Sequence, residues 1–171
     1  MDNLIILGHT GYLGKALMGG LKKIEGYNSI LGFSSNDIDL TDSSQLFQIK
    51  EVSDERTVII MCAAIKSDEG NSLNTFKLNL RMAENIAKLS SECKYKKIIL
   101  ISSNAVYGVH KKHKVISEKS NLYPDTFYSL SKYTTEKLLL INMKERMHKL
   151  VILRPSTIYG PGESITPHTP S

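Results

Sequence analysis

Three tyrosines are each followed four positions later by a lysine: Tyr107 and Lys111, Tyr128 and Lys132, and Tyr133 and Lys137. On a helix, residues i and i+4 lie on one face, so the ammonium of such a lysine lies beside the phenol. A nearby cation lowers the pKa of a tyrosine, and such a tyrosine can serve as a general base or acid. A pair of this kind that stands on a helix therefore predicts proton-transfer chemistry.

Context distinguishes the three pairs. Tyr107 follows a predicted strand and precedes a glycine, so no helix is assured to bring Lys111 beside it. Tyr133 would share a helix with Tyr128 but is rotated about 140° from it, so both cannot face one site. Tyr128 stands in the first turn, at the carboxyl end of the predicted sheet, where ligands bind in such folds. We therefore predict that Tyr128 and Lys132 form the catalytic pair.

The elements that position these residues are predicted by the hydrophobic pattern. Short β-branched apolar runs alternate with longer segments of helical period, which is typical of a parallel sheet with helices on both faces. We predict an α/β, doubly wound sheet of about six strands, at about 3–7, 29–33, 57–62, 97–102 and 149–154, with a short one near 37–40.

Apolar stripes predict which helix faces point toward this sheet. The inward residues of three predicted helices are Leu13, Leu17, Leu21 and Ile24; Met82, Ile86 and Leu89; and, for a helix over 126–147, Leu130, Leu138 and Ile141. Pro124 and Asp125 suit the first turn of that last helix.

A glycine-rich turn joins the first predicted strand to the first predicted helix, with the spacing G-x-x-G-x-x-G. Glycine is needed where the backbone turns tightly, where it approaches a pyrophosphate and where helix touches strand, and the helix N-terminus favours phosphate. We predict that a dinucleotide contacts Gly8, Thr10, Gly11, Tyr12, Leu13 and Gly14. The alternative is a tight strand-to-helix loop that binds nothing.

The spacing of this turn resembles that of the extended short-chain dehydrogenase/reductase family, the nucleotide-sugar epimerases, dehydratases and reductases. The resemblance covers nearly all of residues 3–162. Family members carry a Ser or Thr three residues before "VYG", which here is Ser103, and a Tyr-x-x-x-Lys about 25 residues later. The resemblance thus implies a Rossmann-type fold and catalytic roles for Ser103, Tyr128 and Lys132. Ser102 is the alternative, since a serine that ends a strand can simply cap backbone groups.

Other family positions imply further cofactor contacts. They are Asp39 and Leu40 at the adenine, Ala63 and Ala64 against the cofactor, Lys66 near a ribose or phosphate, Asn79 between the central helix and the site, Tyr128 and Lys132 at the nicotinamide end, and Pro155 and Ser156 beside the nicotinamide. The "DLTD" that contains Asp39 and Leu40 is also a good helix N-cap, and the two roles can coexist.

Two departures from the family pattern narrow the expected activity. No acidic residue ends the second predicted strand, and Ser34, Ser35 and Asn36 could instead hydrogen-bond a 2′-phosphate, so the cofactor is NAD or NADP with a lean to NADP. Asn104 and Ala105 stand where 4,6-dehydratases carry an Asp-Glu pair, which disfavours a dehydratase. A nucleotide-sugar 4-epimerase and a keto-sugar reductase both remain open.

Composition excludes several other classes. The chain has 171 residues, 41% of them hydrophobic and 23% charged, which fits one globular domain. The apolar runs are too short to span a membrane and no secretory signal is recognisable, so a cytoplasmic protein is expected. Cys62 and Cys93 are expected to be free thiols. The net charge of +5 comes from scattered lysines without interleaved aromatics, so nucleic acid is not an expected partner.

The remaining expectations concern metal, domain limits and competing functions. His110 and His113 lack a third ligand, so no metal site is expected. We predict an NAD(P)-binding domain over 1–162 and a disordered tail over 163–171, with the family's sugar-binding region missing. A homodimer is compatible with the sequence. The competing functions are a non-catalytic NAD(P)-binding regulator and an inactive remnant fragment.

Overall fold

The computed structural model describes residues 1–65, 71–108 and 115–161. Lys66, Lys111, the two histidines at 110 and 113, and the predicted tail 163–171 lie outside these ranges. The described ranges hold five strands, β1 (Asp2–Leu7), β2 (Tyr27–Phe33), β3 (Thr57–Met61), β4 (Lys97–Ile101) and β5 (Leu150–Leu153). They also hold four α-helices, α1 (Tyr12–Leu21), α2 (Phe47–Glu51), α3 (Leu73–Glu92) and α4 (Phe127–Asn142).

The five strands form one parallel sheet in the order β2-β1-β3-β4-β5. The chain builds outward from β1 in one direction and then, from β3 onward, in the other. Leu7 at the end of β1 pairs with both Phe33 and Met61, so the three strands end level with one another. The point between β1 and β3 where the order reverses is where sheets of this kind open a ligand crevice.

Apolar side chains alternate between two cores, one on each face of the sheet. The larger core lies under α3 and α4 and contains the fully buried Ile5, Ile59, Ile86 and Leu89, among others. The smaller core lies under α1, where Leu17 and Leu21 pack against the strands. The predicted doubly wound α/β fold is confirmed, as is the inward stripe on α3.

The short strand predicted near 37–40 does not form, so the described sheet has five strands rather than six. Ile38 and Leu40 are buried in the larger core, but the backbone around them makes local bonds instead of a ladder. The N–H groups of Asp37 and Ile38 donate to the Ser34 carbonyl, and the Asp39 carboxylate accepts from Thr41. Short acidic side chains that bond nearby backbone groups compete with strand pairing in this way.

Helix α4 differs most from its prediction. It ends at Asn142, and a 3-10 segment over Lys144–Lys149 follows, so the helix is shorter than the predicted 126–147. Its N-cap is Thr126, whose hydroxyl accepts from the Ser129 N–H in a capping box. Leu130 and Ile141 are exposed, Ile141 at 74%, so their predicted inward orientation is wrong. Ile24 is also exposed because α1 ends before it.

The buried side of α4 is polar: it carries Ser131, Lys132, Thr135 and Glu136 above Leu139. Buried polar groups are stable only where they find hydrogen-bond partners. These side chains form hydrogen bonds with their own helix and with the ends of neighbouring strands. The apolar stripe therefore did not predict which side of this helix is buried.

Candidate active site

The turn between β1 and α1 brings backbone segments into contact at two glycines. Gly8 has φ +83°, and a Cβ there would lie 2.8 Å from the backbone of Ala63 at the end of β3. A Cβ on Gly14 would lie 2.2 Å from the carbonyl oxygen of Gly8. The protein's own packing therefore requires glycine at both positions.

Gly11 is different, because nothing in the protein demands a glycine there. Its φ of −69° and ψ of 167° suit any residue, and a Cβ would meet only the Gly8 oxygen at 3.4 Å, an ordinary contact. Gly11 is exposed and forms the N-cap of α1, beside the equally exposed Thr10. The missing side chain leaves open a cradle on the solvent side, at the helix end that favours phosphate.

The turn after β2 is held together by carboxylates. Ser34 is buried, and both its N–H and its hydroxyl donate to Asp37 at 2.7 and 2.6 Å, which lowers the pKa of the Asp37 carboxyl. Asp39 is exposed and accepts at 2.8 Å from the Thr41 N–H and hydroxyl. The cap of the following 3-10 turn is Asp42, so Asp39 is not that cap.

The segments after β3 and β5 border the same edge of the sheet. Asn79 on α3 is buried, donates to the Ile65 carbonyl and accepts from the Ile65 N–H, both at 2.9 Å. This bond pair fixes the loop that carries Ala63 and Ala64. After β5, the Pro155 carbonyl accepts from the Asn104 N–H at 2.9 Å, while Ser156 is exposed. The exit of β5 thus lies against the exit of β4.

Tyr128 and Lys132 lie together in the first turns of α4. The Lys132 Nζ is 5.8 Å from the centroid of the Tyr128 ring and donates to the Ile101 carbonyl at 2.9 Å. Burial lowers the pKa of Lys132 to about 8, while Cys62 and Glu136 act to raise it. At neutral pH the lysine is therefore still mainly an ammonium ion. Burial also raises the pKa of the Cys62 thiol to about 11, which keeps that thiol neutral.

The two serines after β4 have different surroundings. Ser102 is buried, and its hydroxyl donates to Glu136. Ser103 is half-buried, and its hydroxyl oxygen accepts from the Ala105 N–H at 3.1 Å, capping the 3-10 turn Asn104–Tyr107. Ser102 is committed to an internal bond, whereas Ser103 stands at the carboxyl end of the sheet.

The other two tyrosines of the sequence pattern are placed differently. Tyr107 is buried, and its hydroxyl accepts from Arg154 at 2.9 Å. Tyr133 is half-buried, and the Nζ of the exposed Lys137 lies 5.4 Å from its ring centroid. Among the tyrosines of these pairs, only Tyr128 thus has a described lysine partner that is buried.

Sequence reasoning missed a buried ion pair beneath this site. Arg154, just after β5, donates to both carboxylate oxygens of Glu136 at 2.9 and 2.7 Å. Glu136 is 1% exposed. The available signal was the i+4 spacing, since Tyr128, Lys132 and Glu136 follow one another at four-residue steps on one helix face.

Metal ligands and membrane-spanning helices were searched over the described ranges alone. Those residues contain no group of three or more side chains that could hold a metal ion. No helix among them has the length and apolar character needed to cross a membrane.

Comparison with known proteins identifies the family of the chain. The model of the NAD-dependent epimerase/dehydratase family matches residues 4–171. The chain belongs to this family. A UDP-glucose 4-epimerase from Vibrio cholerae is 27% identical, over 94% of this chain and 53% of that protein. The chain thus spans about half the length of that curated relative.

Solved structures show the same fold. RMD from Pseudomonas aeruginosa, complexed with NADPH, superposes with a TM-score of 0.79 at 22% identity, over 97% of this chain and 57% of that one. UDP-glucuronic acid 4-epimerase from Bacillus cereus, in complex with NAD, gives 0.73 at 22% identity, over 94% and 58%. These two likenesses show the Rossmann-type fold.

Proposed function

We propose that the chain is the cofactor-binding and catalytic half of an NAD(P)-dependent enzyme that acts on a nucleotide sugar, as an epimerase or a keto-sugar reductase. Membership of the family and the nucleotide-sugar relatives support the class of substrate. The observation that carries the proposal is the buried Lys132 ammonium beside Tyr128, at the carboxyl end of the sheet. A buried cation beside a phenol is the arrangement that makes a tyrosine a usable base.

The described residues fit a dinucleotide. The cradle at Gly11 and the N-terminus of α1 suit a pyrophosphate, and exposed Asp39 suits an adenine amino group. The similar structures hold NAD in one case and NADPH in the other. We propose NADP rather than NAD, because Asp37, the acid nearest the end of β2, is already bound to Ser34, while Ser35 and Asn36 are exposed and can hydrogen-bond a 2′-phosphate. When bound, the nicotinamide would accept hydride from the sugar carbon or return it.

Side chains of this protein transfer the proton. Tyr128 as phenolate removes the proton of a sugar hydroxyl, or as phenol donates a proton to a sugar carbonyl. The Lys132 ammonium favours the phenolate by its charge, and Ser103 donates a hydrogen bond to the same sugar oxygen. An epimerase uses both directions in one turnover, whereas a reductase uses only the donation. Asn104 and Ala105 offer no acid–base pair, which disfavours loss of water from the sugar.

The test is the variant Tyr128→Phe, with Tyr133→Phe as the matched control on the same helix. Turnover of UDP-glucose, UDP-glucuronic acid or a keto-sugar nucleotide should fall about 1,000-fold in Tyr128→Phe and stay near normal in Tyr133→Phe. NADPH and NADH titrations, followed by fluorescence, should give affinities within about threefold of the unchanged chain. Near-normal turnover by Tyr128→Phe would refute the catalytic role. Cofactor binding without any turnover by the unchanged chain would favour the regulator or the remnant fragment.

A further inference from the structure

The carboxylate of Glu136 joins three elements of the site. Glu136 lies one helix turn after Lys132 on the buried side of α4. It accepts two bonds from Arg154 at the end of β5 and one from the Ser102 hydroxyl at the end of β4. Glu136 thus holds α4 to the ends of both strands by hydrogen bonds.

The exit of β4 is held against α4 at two successive residues. Lys132 donates to the Ile101 carbonyl at 2.9 Å, and Glu136 accepts from the neighbouring Ser102. Ser103 follows directly. A shift of α4 along β4 would break both bonds together, so these contacts fix Lys132 and Ser103 relative to each other.

Arg154 connects Glu136 to the last residue of the 3-10 turn that Ser103 caps. Its guanidinium donates to the Tyr107 hydroxyl at 2.9 Å and lies 5.2 Å from the centre of the Tyr107 ring. Both ends of the Asn104–Tyr107 turn are therefore connected to Glu136, one through Ser102 and the other through Arg154.

We propose that Glu136 is a positioning residue, which fixes the exit of β4 and the Lys132 side chain relative to each other and whose negative charge stabilises the Lys132 ammonium. The benefit of a charged Lys132 for catalysis rests on the proposed function. The charge of Lys132 can be measured without assuming that function. The role is electrostatic as well as structural, so it is expected to appear in the titration of Lys132.

The direction of the electrostatic effect follows from the groups around Lys132. Burial lowers its pKa to about 8, and the negative charge of Glu136 opposes that lowering. The Cys62 thiol, directly after β3, is the other titratable group near Lys132, but its pKa of about 11 leaves it neutral where Lys132 titrates; Tyr128 lies beside Lys132 on α4. Arg154 pairs with Glu136, and its positive charge offsets part of the effect of that carboxylate. Neutralising Glu136 therefore leaves burial less opposed, and the amine loses its proton at a lower pH.

The experiment titrates Lys132 in the protein without cofactor. The chain is labelled at the lysine Cε with ¹³C, and the Lys132 signal is assigned by its loss in Lys132→Met. In Glu136→Gln we expect the midpoint to fall by at least about half a pH unit, a threefold loss of proton affinity. The matched control is Glu84→Gln, an exposed glutamate on α3, in which the midpoint should not move. An unmoved midpoint in folded Glu136→Gln overturns the proposal.

A second variant covers the case in which Glu136→Gln fails to fold. Removing one partner of a buried ion pair strongly destabilises a protein, whereas replacing both partners is often tolerated. The double variant Glu136→Gln/Arg154→Met is then titrated against Arg154→Met, so that the two chains differ only in the charge at position 136. The midpoint should again be lower in the double variant, and equal midpoints would overturn the proposal. The titration needs neither cofactor nor turnover, so a failure of the Tyr128→Phe test is distinguishable from a failure here.

Discussion

The loop between β1 and α1 and the buried side of α4 both border the carboxyl edge of the sheet, but backbone packing shapes the loop and polar side-chain contacts shape the helix face. In the loop, backbone meets backbone at Gly8 and Gly14, and Gly11 leaves room for an outside group. On α4, the buried face consists of polar side chains that bind one another and the strand ends. The loop is thus sensitive to added atoms, and the helix is sensitive to lost partners. Four predictions test this contrast.

The largest effect is expected at the crowded end of the loop. In Gly14→Ala, the new Cβ would meet backbone atoms of Gly8 and His9 at 2.2 to 2.9 Å, and backbone cannot swing away as a side chain can. We expect the free energy of unfolding to fall by more than about 3 kcal/mol in urea denaturation. The control is Gly19→Ala on the same helix, where nothing lies within 4 Å, and it should leave the protein equally or more stable. Equal stability of the two variants would contradict this account of the loop.

The next effect tests the buried charge on α4. The pKa of Lys132 is about 8 in the folded chain, below the ordinary value of about 10.4 expected when unfolded. Between these values the unfolded state holds more protons, so stability should rise with pH. Relative to Lys132→Met, the unchanged chain should gain about 2 to 3 kcal/mol in free energy of unfolding from pH 8 to 10.5. A flat difference would mean that folding does not lower the pKa of Lys132.

A smaller effect is expected at the open end of the loop. Gly11→Ala adds a methyl group where the protein itself has room, so the free energy of unfolding should change by less than about 0.5 kcal/mol. The methyl group fills the proposed phosphate cradle, so the affinity for NADPH or NADH should fall about tenfold, or 1.4 kcal/mol. Isothermal titration calorimetry against Gly19→Ala measures this. Unchanged cofactor affinity would remove Gly11 from the proposed site.

The smallest effect is expected on the outer side of α4. Ile141 is 74% exposed, so Ile141→Gln should change the free energy of unfolding by less than about 0.5 kcal/mol. Leu139→Ala, two residues earlier on the buried side, should cost about 2 to 5 kcal/mol. A large loss in Ile141→Gln would show that a surface covers this side of the helix in solution.

The sequence predicted much of the fold because its signals there are local. Strands buried on both faces need nearly continuous apolar runs, and β1, β3 and β4 carry them. It predicted five strands correctly and a sixth near 37–40 wrongly, since apolar Ile38 and Leu40 are buried without pairing. The catalytic roles of Ser103, Tyr128 and Lys132 stay a prediction, and Tyr128→Phe tests the role of the tyrosine.

What the sequence by itself determined is the order of the elements and the glycine spacing, because each depends on neighbours a few residues away. Only the tertiary structure decided which side of α4 is buried. Leu130 and Ile141 favoured one side by hydrophobicity, but Lys132 and Glu136 occupy the other, because their partners come from β4 and from Arg154 after β5. A polar side chain can be buried only where distant backbone and charged groups meet it. Those contacts form only in the folded chain.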